Sequence, residues 1–203
     1  MDEDDKHQRW KRYYASTSER PPRKTLLLAL ERFRAEGLHG GCAIDLGCGS
    51  GRDTIALLRL GWRVLAIDAE PEAFAALGAR EDLPVDAALE TRINRFENED
   101  LPPADLINSS FALPLVPPQD FPRLWQNICG ALRPGGRIST QFFGPKDDWR
   151  GDPTITFHTR AEAEACLDGL EVEMLDEEED ESPTPRGKTK HWHLFHIVAR
   201  RAP

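Results

Sequence analysis

The chain has 203 residues, a formal net charge of -9 and 39% hydrophobic residues. This length suits one domain with a real core, and no apolar run approaches the ~20 residues of a membrane span. An acidic balance lacks the basic field that nucleic acid or anionic lipid demands, so neither is expected as a partner, although Arg9, Lys11, Arg12, Arg20, Arg23 and Lys24 lie close in sequence.

The chain opens Met1-Asp-Glu-Asp-Asp, which is acidic and does not read as the charged start of a signal peptide. Cys42, Cys48, Cys129 and Cys166 form no C-x-x-C pair. That argues against a zinc site or a thioredoxin-type motif and fits a reducing, cytoplasmic setting. Residues 10–14, Trp-Lys-Arg-Tyr-Tyr, are an aromatic and basic cluster, and Arg20-Pro-Pro-Arg breaks the chain after it. Residues 1–24 read either as a segment packed on the domain or as a lid, and the domain runs from 25 to 203. Leu26, Leu30 and Phe33 recur at helical spacing, which predicts a helix over 25–35, ended by Gly37, Gly40 and Gly41.

The stretch from Cys42 to Asp53 organises the chain. A short apolar run, Ala43 to Leu46, contains one acid, Asp45. Gly47, Gly49 and Gly51 come next at alternate positions, and a helical pattern then runs from Asp53 to Gly61. Strand, glycine turn and helix make the first half of a βαβ unit. Glycine lets the backbone turn sharply and lets a ligand approach closely. The helix that opens there presents unpaired N–H groups. The spacing is not the dinucleotide form G-x-G-x-x-G, because Arg52 stands where the third glycine would be. The D-x-G-x-G-x-G form, Asp45 to Gly51, resembles motif I of the class I S-adenosylmethionine (SAM) methyltransferases.

Further along, Val64 to Ile67 is continuous and apolar, as for a strand buried on both faces. It ends in Asp68. An acid there is placed to accept both ribose hydroxyls of an adenosine, or else opens the next helix at Glu70-Pro71. A third strand is expected near Arg92 to Phe96, followed by Glu97-Asn-Glu-Asp-Leu-Pro. The resemblance implies that Glu97 meets the adenine amine and that Asn98 offers its backbone N–H; an acidic surface turn is the other reading. Ala104 to Ser110 reads as strand four, leaving Asn108, Ser109 and Ser110 at the edge where ligands bind in open α/β sheets. Phe121, Leu124, Trp125, Ile128, Ala131 and Leu132 line one face of a helix. Arg133-Pro-Gly-Gly is similar to the turn that leads these methyltransferases into strand five, expected over 137–143, with a loop from Gly144 to Trp149 after it.

A last helix is expected over 159–168. Leu170 to Leu175 begins a strand that runs into the acidic block Asp176 to Glu181, and Lys190 to Ala199 reads as the final strand of a hairpin. The resemblance implies a Rossmann-like α/β fold. It has a mostly parallel seven-stranded sheet, helices on both faces and an antiparallel C-terminal strand. It also implies SAM as cofactor, held by Asp45, Gly47, Cys48, Gly49, Gly51, Asp68, Ala69, Glu97, Asn98 and Asn108. More narrowly, Trp10, Ser109-Ser110-Phe111, the loop 144–149 and Lys190-His-Trp-His are similar to small bacterial methyltransferases of the tellurite-resistance TehB type.

SAM already carries a good leaving group, so such an enzyme mainly holds a nucleophile in line with the methyl–sulfur bond. Tyr14, Ser110, His191 and His193 are the candidates for a catalytic role. His191 and His193 share one strand face and His196 takes the other; no third ligand completes a metal site, and no metal is expected. The acceptor expected is a small molecule, on a monomer or homodimer. A SAM- or nucleotide-binding regulatory protein without turnover is the alternative on the same fold.

Overall fold

A computed structural model of the protein describes residues 20–184 and 187–203. Trp10, Tyr13 and Tyr14, and with them most of the expected lid, lie outside the described residues. The described chain runs α1 (Lys24–Ala35), β1 (Cys42–Leu46), α2 (Arg52–Arg59), β2 (Arg63–Asp68), α3 (Pro71–Gly78), β3 (Leu89–Ile93), β4 (Ala104–Ser109), α4 (Phe121–Ala131), β5 (Leu132–Phe143), α5 (Arg160–Cys166), β6 (Leu170–Pro183) and β7 (Thr189–Arg201). Short 3-10 turns occur at Phe96–Asn98 and Leu113–Leu115. Among the described residues, no helix is long and apolar enough to cross a membrane.

The strands form one seven-stranded sheet in the order β3-β2-β1-β4-β5-β7-β6. The pairs from β3 to β5 are parallel, and β7 pairs antiparallel with both β5 and β6. The chain winds outward from β1 to β3, then crosses back to lay β4 against the other side of β1. The ends of β1 and β4 therefore flank the switch in winding direction, where a crevice opens at the carboxyl edge of such sheets.

Both faces are covered. Ile44, Leu46, Ile67, Ile107, Phe142 and Phe195 pack under α4 and α5, and Val64, Ala66, Leu106 and Val198 pack under α1 and α2. The continuous apolar runs of β1, β2 and β4 have this cause, since neither face of those strands meets water.

Three boundaries differ from expectation. The third strand is Leu89–Ile93, and Phe96 to Asn98 is a 3-10 turn. As an edge strand with exposed side chains, β3 has no apolar run to mark it. The fifth strand begins at Leu132, because Leu132 already pairs with Ala104 of β4; residues 133–136 then bulge out before pairing resumes at Arg137. The last helix is shorter, Arg160 to Cys166, with Thr159 and Glu162 forming a capping box at its start. The acidic block is part of β6, opposite the histidines of β7.

Arg137 is the largest fully buried side chain. Its guanidinium forks both Glu36, at 2.6 and 2.9 Å, and Glu173, at 2.8 and 2.9 Å, and lies 4.5 Å over the Phe33 ring. It thereby ties the end of α1 to β5 and β6. Arg137→Ala should lower the unfolding free energy by about 2–3 kcal/mol, because Glu173 loses its partner, Glu36 keeps only Arg200, and the buried stem of the arginine leaves a void. Urea denaturation measures this, and a loss below about 1 kcal/mol, the worth of an exposed ion pair, would show that α1 is held by its apolar face alone.

Candidate functional site

The glycine turn is built by packing as much as by conformation. Gly47 and Gly51 have φ of 69° and 79°, in the left-handed region. A Cβ on Gly47 would stand 2.3 Å from the Ala112 Cβ, and one on Gly51 would stand 2.2 Å from the Leu77 side chain. The Gly47 and Cys48 N–H groups both donate to the Ile67 carbonyl, at 2.8 and 3.2 Å, so the turn is pinned to the end of β2.

Asp68 ends β2 beside that turn and is 8% exposed. One oxygen accepts from the Gly49 N–H at 2.9 Å and the other from the Glu70 N–H at 3.0 Å. Each oxygen keeps a lone pair for a further donor. Burial raises its pKa above the ordinary value, against the two N–H bonds that lower it. Ala69 is exposed beside it.

Asp45 and Asp53 form a buried carboxylate pair joined by one amide. The Asn108 side chain donates from Nδ2 to Asp45 at 2.8 Å and to Asp53 at 3.4 Å, and accepts at Oδ1 from the Ser139 hydroxyl at 3.0 Å. Asp45 also accepts from Thr54 at 2.6 Å. Asp53 accepts the Arg52 fork at 2.8 and 2.9 Å, the Ser110 hydroxyl at 2.5 Å and the Arg23 N–H at 3.4 Å. The pKa values of the two acids move in opposite directions as a result. Burial, then the Asp53 charge, pushes Asp45 up to about 6. For Asp53 burial acts in the same direction, but the Arg52 fork outweighs it and holds the group below its usual range. Asp45 and Asn108 therefore face each other inside the fold, and their effect on a ligand passes through the turn they brace.

Arg23 and Ser110 close over Asp53, leaving a cavity of about 50 Å³ above the turn. Phe111, next in the chain, has φ of 61°, a strained value for a residue with a side chain. It is held there because its N–H donates to Gln141 at 3.1 Å, and Gln141 in turn donates to Thr25 at 2.9 Å. The Phe111 ring meets the Arg23 guanidinium at 4.3 Å and the Trp192 ring edge-on at 6.0 Å. Beyond it Phe143, Trp149 and Trp192 surround the Lys190 ammonium at 4.9, 3.9 and 3.5 Å. Lys190 is buried and donates to the buried Asp147 at 2.5 Å. An aromatic wall thus stands beside the turn, fastened from behind by an ion pair.

The structure separates the remaining candidates. Cys48 is buried, and burial with the nearby Asp45 and Asp68 charges raises its pKa well above the usual value, so the thiol stays protonated. Glu97 is buried in its 3-10 turn and paired with Arg95 at 2.5 Å. The Asn98 N–H, expected to meet a ring, already donates to the Arg95 carbonyl at 2.9 Å, because the 3-10 turn closes on itself. His193 lies on the opposite face of β7 from Trp192. Its Nδ1 accepts from the Lys146 N–H at 3.1 Å, so its proton sits on Nε2, facing Glu177 at 2.9 Å. His191 reaches Glu179 at 3.6 Å. Glu177, Glu179 and His193 bring three ligand atoms within 4.8 Å of one another. The proton on Nε2 and the cations Lys146 and Arg160, already on those two glutamates, make this an ion-pair lattice.

Sequence reading missed Arg23, Arg52, Asp53, Gln141, Asp147 and Lys190. A signal was present for some of them. Arg52-Asp53 directly follows the third glycine, and Gln141 ends a polar run, Ser139-Thr-Gln, inside a strand bounded by Ile138 and Phe142.

Residues 43–136 match a family described as "Methyltransferase domain". No curated protein matches the sequence. Among solved structures, the chain is similar to TehB from Haemophilus influenzae, with a TM-score of 0.70 and 20% identity over 83% of this chain. It spans 60% of that protein's length. It is also similar to a SAM-dependent methyltransferase from Methanosarcina mazei, with a TM-score of 0.67 and 18% identity over 90% of this chain and 99% of that one. A third likeness is to a 1,6-didemethyltoxoflavin N1-methyltransferase from Burkholderia thailandensis, solved with 1,6-didemethyltoxoflavin and S-adenosylhomocysteine. Its TM-score is 0.62, at 21% identity over 89% of this chain and 79% of that one. At these identities the likeness establishes the fold.

The carboxylate pair makes a prediction about pH. A buried acid whose folded pKa lies above its unfolded value favours the fold below the unfolded pKa and loses that contribution as pH rises through the folded one. Asp45, raised from 3.8 to about 6, should do so. Asp45→Asn keeps an acceptor for Asn108 and offers a donor to the Thr54 hydroxyl. The stability of the variant relative to the parent should rise by about 3 kcal/mol between about pH 4 and pH 7. Thermal melting across that range checks it; a constant difference would mean that Asp45 titrates as an ordinary carboxyl.

Proposed function

We propose that the chain is a class I SAM-dependent methyltransferase that transfers the methyl group to a small-molecule acceptor by direct in-line displacement at the carboxyl edge of the sheet, a reading supported by the methyltransferase family match over residues 43–136 and the shared fold. The observation that carries this reading is the acid set along that edge. Asp45 and Asp53 stand below the glycine turn, Asp68 beside it, and Glu97 beyond β3. The cofactor presents a sulfonium and an ammonium, both cationic, a ribose diol that donates two hydrogen bonds, and an adenine amine that donates more. Carboxylates suit every one of these groups. The lone pairs left on Asp68 are placed for the diol. Glu97 is near enough to the edge for the adenine amine, while its Arg95 partner is mostly exposed and swings aside at little cost.

When bound, SAM supplies a methyl group on a sulfonium leaving group, which needs no acid to depart. The work left to the protein is binding, orientation and exclusion of water. The aromatic wall of Phe111, Trp149 and Trp192 forms one side of the acceptor site, and Ser110 sits between that wall and the turn. Ser110 donates to Asp53, so its oxygen lone pairs face outward and it orients an acceptor that carries a donor. His193 has both ring nitrogens engaged and faces away, and we assign it no part in proton transfer. The acidic surface and the single compact edge favour a small acceptor over nucleic acid.

Calorimetry with SAM and S-adenosylhomocysteine tests the cofactor assignment. Asp68→Ala should weaken both, since each ribose hydroxyl loses a charged acceptor worth ~1.5–3 kcal/mol. Asp68→Asn, which retains an acceptor for the turn, separates that loss from collapse of the turn and should weaken binding less. Equal affinity in both variants and the parent would refute the role of Asp68. Labelled SAM offered with thiols, oxyanions and planar heterocycles then tests the acceptor class. Methyl incorporation into bulk tRNA at a rate matching the best small acceptor would overturn the choice of a small molecule, and SAM binding without turnover of any acceptor would favour a regulatory role.

A further inference from the structure

A second, larger cavity of about 550 Å³ opens on the outer side of α2 and shares only Arg52 with the cavity above the glycine turn. That volume falls in the range of small-molecule sites. Its charge runs against the rest of the molecule. Arg20, Arg52, Arg59 and Arg80 line it, against Glu81 and Asp82, in a chain whose net charge is -9; Asp53 holds the Arg52 fork and Asp82 the Arg80 fork, so Arg20 and Arg59 carry the excess positive charge of the cleft. Arg52 and Arg59 are seven residues apart on α2, two turns along one helix face, and Ile55 and Ala56 lie between them as an apolar floor. Arg80 comes from the turn after α3, and Arg20 from the segment before α1, fixed by Pro21 and Pro22.

The cleft already seats one carboxylate. Asp82 accepts the Arg80 fork at 2.8 and 2.9 Å and Arg59 at 3.1 Å. The Arg80 hydrogen bond holds Asp82 below the usual carboxylate range. Two guanidinium groups are thereby held side by side with an anion across them. A guanidinium has five donors, and Asp82 engages one from Arg59 in the cleft. Planar forks of this kind match phosphate and carboxylate oxygens. Clustered positive charge in a cleft concentrates anions even on an acidic protein.

We propose that this cleft binds a compact small-molecule oligoanion, one bearing two or more phosphate or carboxylate groups, at a site separate from the methyl-transfer edge. The apolar floor of Ile55 and Ala56 takes the carbon or bridging part, and Arg20 and Arg59 meet its charged ends. The proposal does not depend on the methyltransferase reading, because it rests on the outer side of α2.

The test titrates the full chain with inorganic pyrophosphate, with citrate and with acetate at matched ionic strength, by calorimetry and by thermal melting. Pyrophosphate or citrate should bind saturably at one site and raise the melting temperature by mass action, while acetate should not. Pyrophosphate alone binding identifies phosphate as the recognised group, and citrate alone identifies carboxylate. Arg59→Glu, at a side chain that is 55% exposed, should weaken that binding at least about tenfold, with the ligand-free melting temperature of the variant recorded beside it to separate loss of the site from loss of the fold. Arg59→Lys, which keeps the charge and loses the fork, should fall between. No saturable binding of either oligoanion, equal binding of acetate, or unchanged affinity in Arg59→Glu would each overturn the proposal.

Discussion

Two carboxylates buried within reach of one amide set the terms for the rest of the site. Placed together in a low-dielectric interior, Asp45 and Asp53 cannot both hold a full charge unless something compensates. The Arg52 guanidinium forks Asp53, and its charge reaches Asp45 only through space. Among the described residues, the side-chain donors to Asp45 are neutral, Thr54 and Asn108. The asymmetry pushes the two pKa values apart. It also locks three segments, since Asp45 lies near the end of β1, Asp53 begins α2 and Asn108 lies near the end of β4. Any shift of β4 against β1 would leave a buried charge short of a donor, so their register and the turn between β1 and α2 are held together.

The other half of the edge rests on a second buried charge. Lys190 and Asp147 are almost fully enclosed, and three aromatic rings stand around the ammonium. Desolvation lowers the Lys190 pKa, while Asp147 opposes that shift. Ring faces supply part of the lost hydration. Asp147 also accepts from the Trp149 N–H at 3.0 Å, which closes the loop after β5 onto β7. One ion pair thus links the strand and the loop that carry the two tryptophans.

Features set by short-range spacing were legible in the sequence. The glycine turn, the acid at the end of β2, the buried runs of the central strands and the closing hairpin all depend on neighbours within a few residues. The rest needed the fold. Gln141 fixes Phe111 and is itself fixed by Thr25, 116 residues away. Asp53 read as part of a helical pattern, and only its meeting with Ser110, 57 residues on, shows what it does. The β3 boundary was hidden because an edge strand has no need of apolar side chains. Asn98 shows a subtler limit: a motif can place a residue at the right edge without revealing that its backbone N–H is already engaged.

The sheet ends on β6, a 14-residue strand with one side free of any neighbouring strand among the described residues. Strands of that length and position are templates for edge-to-edge growth between molecules. Six consecutive acids, Asp176 to Glu181, occupy the stretch, and histidines and cations within the same molecule engage Glu177, Glu178 and Glu179. A second copy laid alongside would set carboxylates opposite carboxylates without bringing new counter-charges. The acidic block therefore disfavours edge-to-edge pairing of two copies along β6.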